Sequence, residues 1–158
     1  MKLTNILVPT RVAEAGMLVR EVFEECTRRH VSGLPFRDAS GRIIGRVSLR
    51  HTFKLSCLPE YVVEMAFVLG DELSCLEDAE AKARAVLCAP VDAYVLHDFN
   101  AIDSDSSVMR ALAIMEKQDT NYLFVIDDGE YKGSVTTQGI AQRMLEVEKI
   151  CDAGKAVG

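Results

Sequence analysis

Residues 5–38 slide 89 positions onto residues 94–127 without a gap, so one supersecondary unit is written twice in the 158-residue chain. The offset sets Val19 on Val108, Phe23 on Leu112, Cys26 on Met115, Leu34 on Leu123, Phe36 on Val125 and Asp38 on Asp127. With one residue deleted in the second turn, residues 45–53 (GRVSLRHTF) then fall on residues 133–141 (GSVTTQGIA). Few residues are identical; the pattern of apolar positions is what repeats. Such a period constrains the fold more than any local feature, because a unit too small to bury its own apolar face shares a core with its copy.

Each copy spells the same elements. Val19, Val22, Phe23 and Cys26 recur at i, i+3, i+4 and i+7, one face of an amphipathic helix, with Arg20, Glu21, Glu24 and Arg28 left to solvent. Val108, Ala111, Leu112 and Met115 repeat that face, and Ser104 or Asp105 is expected to cap the helix. A hairpin follows each helix: SGLPFRD and RIIGRVS around the turn ASG, then NYLFVID and YKGSVT around DGE. A further helix is predicted after each hairpin, over residues 50–57 and 138–149. The acidic, helix-forming stretch between the copies reads as a packed connector of two helices divided at Gly70-Asp71. The expected divisions are therefore 1–57, the connector 58–90, 91–151 and a frayed tail 152–158.

A hydrophobic content of 49% is enough for a buried core, and the net charge of −6 argues against a nucleic-acid partner. The five cysteines are odd in number, with no CxxC pair and no histidine at zinc-ligand spacing, which fits reduced thiols in a cytoplasmic protein. No membrane span is expected, since the longest apolar stretch, residues 61–69, is interrupted by Glu64 and falls short of the roughly 20 residues a bilayer needs. Asp98, Asp103, Asp105, Asp127 and Asp128 lack the spacing of a calcium loop and are expected in caps and turns. Met109, Met115 and Met144 are spaced as core filler, and His30 ends a helix. No nucleophile and base can be paired from local sequence, so neither catalysis nor a metal site is expected.

The string HVSGLPFRDASGRIIGRVSLRHTF resembles the core of a CBS domain, through Gly33, Pro35, Asp38, Gly41 and Gly45. The second copy keeps Asp127, Gly129 and Gly133 but has Phe124 in place of Pro35, and the resemblance covers residues 2 to about 57 and 91 to about 149. It implies an α/β (α+β) fold of two tandem repeats, each a small sheet flanked by helices, in a pseudo-twofold pair (a Bateman module) that forms homodimers. It also implies a regulatory role: an adenine-containing ligand (AMP, ADP, ATP or an S-adenosyl compound) in the inter-repeat cleft, no required cofactor, and signalling through dimer geometry to an unknown protein partner. The alternative is a structural or protein-interaction module that binds no nucleotide. Family members that hold a ribose carry Ser or Thr three residues before an Asp; here the hydroxyls are Ser48 and Thr136, but His51 and Gly139 replace the Asp. The candidate ligand contacts are Ser48, Arg50, His51, Thr136 and Arg46, the arginines as phosphate partners because a guanidinium grips an oxyanion with two donors.

Overall fold

The first helix, α1 (Val19–Arg29), forms where the sequence places its apolar stripe, with Val19, Val22 and Cys26 buried. It ends at His30, whose left-handed backbone (φ 55°) lets its N–H reach the Cys26 carbonyl. Strands β1 (Gly33–Arg37) and β2 (Ile43–Ser48) then pair antiparallel, and α2 (Leu49–Cys57) follows directly. The second copy repeats the order as β3 (Ala101–Ile102), α6 (Val108–Lys117), β4 (Tyr122–Asp127), β5 (Glu130–Thr136) and α7 (Thr137–Lys155). Between them lie α3 (Glu60–Glu64), α4 (Ala66–Leu69) and α5 (Ala79–Leu87). The computed structural model describes residues 1–70 and 79–155. Cys75 and the Asp71 half of the expected connector break lie outside these.

Strand pairing follows the sequence offset residue by residue. Ala13 bridges Phe36 in parallel, and 89 residues on Ile102 pairs with Val125 in parallel. The β1–β2 and β4–β5 hairpins are both antiparallel, and each turn spends a positive φ on glycine, Gly41 at 87° and Gly129 at 80°.

The compact units do not coincide with the sequence repeats. One joins Met1–Thr10 to the chain from Phe99 onward, and the other is Arg11–Asp98. Val8 and Ser134 exchange backbone hydrogen bonds of 2.8 and 2.9 Å, as do Arg46 and Leu96 at 2.8 and 2.9 Å. Each hairpin thus takes its outer neighbour from the segment that leads into the other repeat. A glycine inside each of β2 and β5, where the sequence suggests a strand opening, permits this: a Cβ on Gly45 would overlap the Leu96 carbonyl oxygen, and one on Gly133 would lie 3.0 Å from that of Val8.

In the unit containing the second repeat, Leu3 and Ile6 of the N-terminal segment enter a core with Ile102, Ala111, Met115, Leu123, Val125, Val135 and Ile140. In the unit Arg11–Asp98, Ala13, Val19, Val22, Leu34, Val47 and Val91 are buried. Three expectations are corrected. Met109 and Met144, expected as core filler, are 74% and 59% exposed, whereas Met115 is buried. Helix α6 is capped not by Ser104 or Asp105 but by Ser107, whose extended backbone turns its hydroxyl onto the Arg110 N–H at 3.1 Å, while Ser104 donates its own N–H to Asp127. Helix α7 runs on through Lys155, past Lys149, where the sequence pattern places its end.

Candidate functional site

Four of the five candidate residues meet at the β2–α2 junction of the unit Arg11–Asp98. Along β2 side chains alternate between faces, so Arg46 and Ser48 share the face opposite Val47. Ser48 is the N-cap of α2: its backbone is extended (φ −109°, ψ 149°) and its buried hydroxyl accepts the His51 N–H at 3.1 Å. The Ser48 hydroxyl is therefore already engaged in holding the helix start. Arg46 is fastened to the crossing segment, its Nε donating to the Asp98 carbonyl at 3.2 Å and its terminal nitrogen 3.8 Å from the Asp98 carboxylate. Arg50, in the first turn of α2, is exposed.

His51 registers this surrounding charge. Partial burial pushes its pKa below the ordinary histidine value, and the charges of Lys54 and Arg46 push the same way, with Asp98 alone opposing them. The junction thus gathers Arg46, Arg50, His51 and Lys54, with the Asp98 carboxylate beside Arg46. Its chemistry suits an anion held at a helix start.

Thr136 lies in the other unit, in the matching place. Its buried hydroxyl caps α7 by accepting the Gly139 N–H at 2.9 Å. A Cβ on Gly139 would come 3.1 Å from that hydroxyl oxygen, so the position where the first copy has His51 is crowded as well as bare. No cation corresponds to Arg46 here, because the aligned residue is Ser134.

Several polar groups that periodicity did not single out are organised around these sites. Ser134, fully buried, shares a hydroxyl chain with Tyr131 (3.0 Å) and through it with Thr10 (2.7 Å). Phe124 packs its ring against Phe99, Tyr122 and Tyr131. Glu25 lies on the apolar face of α1 and is only 2% exposed, yet its carboxylate accepts from the Arg11 backbone N–H (3.3 Å), from Arg29 (3.4 Å) and from Arg28. Two arginines three and four residues on were the available signal. Cys26, beside it, is pushed up to about 12 by burial and then by the Glu25 charge, which leaves an inert thiol. Among the described residues no three His, Cys, Asp or Glu side chains are grouped to hold a metal ion, and no helix is long and apolar enough to cross a membrane.

Comparison with known proteins bears on the fold. Residues 91–146 match the family model for the CBS domain. A CBS domain-containing protein from Kribbella flavida superposes with a TM-score of 0.63 at 18% identity, covering 91% of this chain and 99% of its own. One from Bacillus anthracis gives 0.61 at 12% identity, covering 92% and 94%. A CBS domain pair in complex with 5′-methylthioadenosine and S-adenosyl-L-methionine gives 0.60 at 16% identity, covering 91% and 99%. No curated protein matches the sequence. Residues 91–146 thus match the CBS-domain model, and the chain over nearly its whole length has the fold of a CBS-domain pair.

Proposed function

We propose that the chain is a regulatory CBS-pair module that binds a small adenine-containing ligand at the β2–α2 junction, acts as a homodimer without catalysing a reaction, and passes its bound state to a partner protein. The observation that carries this is the group of Arg46, Arg50 and Lys54 with the His51 imidazole around the start of α2, among which Asp98 is a carboxylate that pairs with Arg46. A similar fold holds 5′-methylthioadenosine and S-adenosyl-L-methionine in one solved pair. The guanidinium groups of Arg46 and Arg50 suit a phosphate-bearing nucleotide better than a sulfonium cation. No cofactor enters the proposal.

A thermal-shift screen with AMP, ADP, ATP and S-adenosyl compounds tests it. A ligand at 100 times its Kd stabilises by about 2.7 kcal/mol, which raises Tm by roughly 5–10 °C in a chain of this size. A shift with the nucleotides is the expected result. The same melting temperature with every compound would favour a structural module instead, a reading supported by the use of both Ser48 and Thr136 hydroxyls as helix caps.

A further inference from the structure

We infer that two copies of the chain pair through α7 in parallel, along a short coiled-coil seam of Met144, Val147 and Cys151; this rests on the homodimer in the proposed function and names its surface. Helix α7 spans Thr137–Lys155, but Ile140 is its only buried residue. Beyond it Met144 is 59% exposed, Leu145 60%, Val147 38% and Ile150 64%, on a helix whose first turns are fixed in the core of its unit; of these, all but Leu145 lie on one face.

Those side chains are not scattered. Ile140, Met144, Val147 and Cys151 follow one another at intervals of four, three and four, the d-a-d-a spacing of a heptad, and Ile150 widens the stripe at a g position. About a third of the helix circumference is therefore apolar, and its C-terminal half faces solvent in a single chain. A stripe that begins inside a core and continues past its edge in heptad register suits packing against an equivalent helix.

Charge selects the occupant and its direction. With Met144 at a, Arg143 takes g and Glu148 takes e. In a parallel pair each g residue meets the e residue five positions on in the second helix, so Arg143 faces Glu148 of the other copy on both sides of the seam. An antiparallel pair would set g beside g and e beside e, leaving Arg143 and Glu148 without their complements. Arg143 also pairs with Glu146 within its own helix at 3.1 Å, a contact that Glu148 of the second copy would share.

Cys151 reports the geometry. A parallel seam sets the two exposed Cys151 residues opposite one another at an a position, within bridging range, whereas an antiparallel pairing on the same stripe separates them by about 10 Å along the axis. The test uses the full chain at about 100 µM, because a seam of so few layers pairs weakly and by mass action. Light scattering should give about 35 kDa, twice the 17.4 kDa of the chain. Diamide, a two-electron oxidant, should convert the two Cys151 thiols into one disulfide and link the dimer, and Cys151→Ser should abolish the link. Met144→Glu with Val147→Glu should give monomers with an unchanged circular dichroism spectrum, since neither side chain is buried. Glu148→Arg should weaken pairing and Arg143→Glu in the same chain should restore it. A dimer that survives Met144→Glu/Val147→Glu, or a link that survives Cys151→Ser, would overturn the seam while leaving the homodimer intact; a parent that stays monomeric would overturn both.

Discussion

Arg46 and Leu96 exchange two backbone hydrogen bonds, and Val8 and Ser134 make the same pair of bonds in the other unit. Arg46 and Ser134 are equivalent in the repeat, being one residue past Gly45 and Gly133. The segments that enter the two copies are thus traded in the same way at the same depth of the hairpin. Each unit is closed by backbone from the other copy's lead-in, so neither sequence repeat has its full sheet when taken alone.

Gly45→Ala should therefore destabilise the chain although the added group is a single methyl. The methyl would meet backbone, the Leu96 carbonyl, which cannot swing away as a side chain can. Overpacking of this kind costs about 1–3 kcal/mol, or roughly 3–10 °C in Tm for a chain of this size. Gly154→Ala, in open space on α7, should leave the melting temperature unchanged or slightly raised. Thermal denaturation followed by circular dichroism separates the two; equal melting temperatures would mean that the exchanged pairing contributes little.

Glu25 gives a second test, with a sign set by linkage. Burial raises the pKa of its carboxyl, but the hydrogen bonds from Arg28 and the Arg11 N–H, with the charge of Arg28 and the bond from Arg29, outweigh burial and hold it below the ordinary 4.5. A carboxyl depressed in the folded state stabilises above its unfolded pKa, and that contribution is lost as pH falls through the folded value. Stability should thus decline below about pH 4.5, and Glu25→Gln should flatten that decline. Glu25→Ala should cost about 1–3 kcal/mol at neutral pH. Glu25→Ile, which installs the residue that the second copy has at Ile114, should recover part of it, as an apolar replacement for a buried ion often does.

Much of this architecture was legible in the sequence because it is local. Helix α1 followed its stripe, the hairpins followed Asp and Gly, and the 89-residue offset carried Ala13–Phe36 onto Ile102–Val125 at the level of individual pairs. The exchange of Val8 and Leu96 was not legible, since the edge of a hairpin accepts any extended backbone and its chosen neighbour leaves no local pattern. Gly45 and Gly133 marked where that neighbour passes, but as glycines they equally fitted a strand opening. The cap of α6 was misassigned because Ser104, Asp105 and Ser107 all offer an oxygen, and backbone angles rather than composition decide between them. At the candidate site, the sequence supplied Arg46, Arg50 and His51 but not Asp98, which reaches them only because the crossing segment returns to β2.

The His51 environment makes its titration a direct reporter of the site. Burial and the neighbouring cations Lys54 and Arg46 lower its pKa, so the free protein should titrate at His51 below the ordinary 6.5. A folded histidine whose pKa is depressed costs stability as pH falls below the unfolded value, because the unfolded chain takes up the proton first. A bound phosphate group would oppose those cations and move the midpoint upward. Proton NMR of the imidazole with and without AMP reads both effects: a midpoint above 6.5 in the free protein would contradict the described surroundings, and an unmoved midpoint under saturating nucleotide would place the ligand elsewhere.

Arg50 and the two capping hydroxyls should separate binding from folding. Ser48→Ala and Thr136→Ala each remove an N-cap acceptor from a buried helix start, so each should lower stability by about 1 kcal/mol. Arg50 is exposed, and its removal should leave the melting temperature within a degree or two of the parent. For a phosphate-bearing ligand the order reverses. A charge-assisted contact contributes about 1.5–3 kcal/mol, so Arg50→Ala should weaken binding by roughly 10- to 150-fold, and Thr136→Ala, where no cation stands, should weaken it less. Calorimetry of the three variants with a nucleotide found in the screen, alongside their melting curves, tests the assignment. Equal affinity in Arg50→Ala and the parent would remove Arg50 from the site, and a larger loss from Thr136→Ala than from Arg50→Ala would move the ligand to the second repeat.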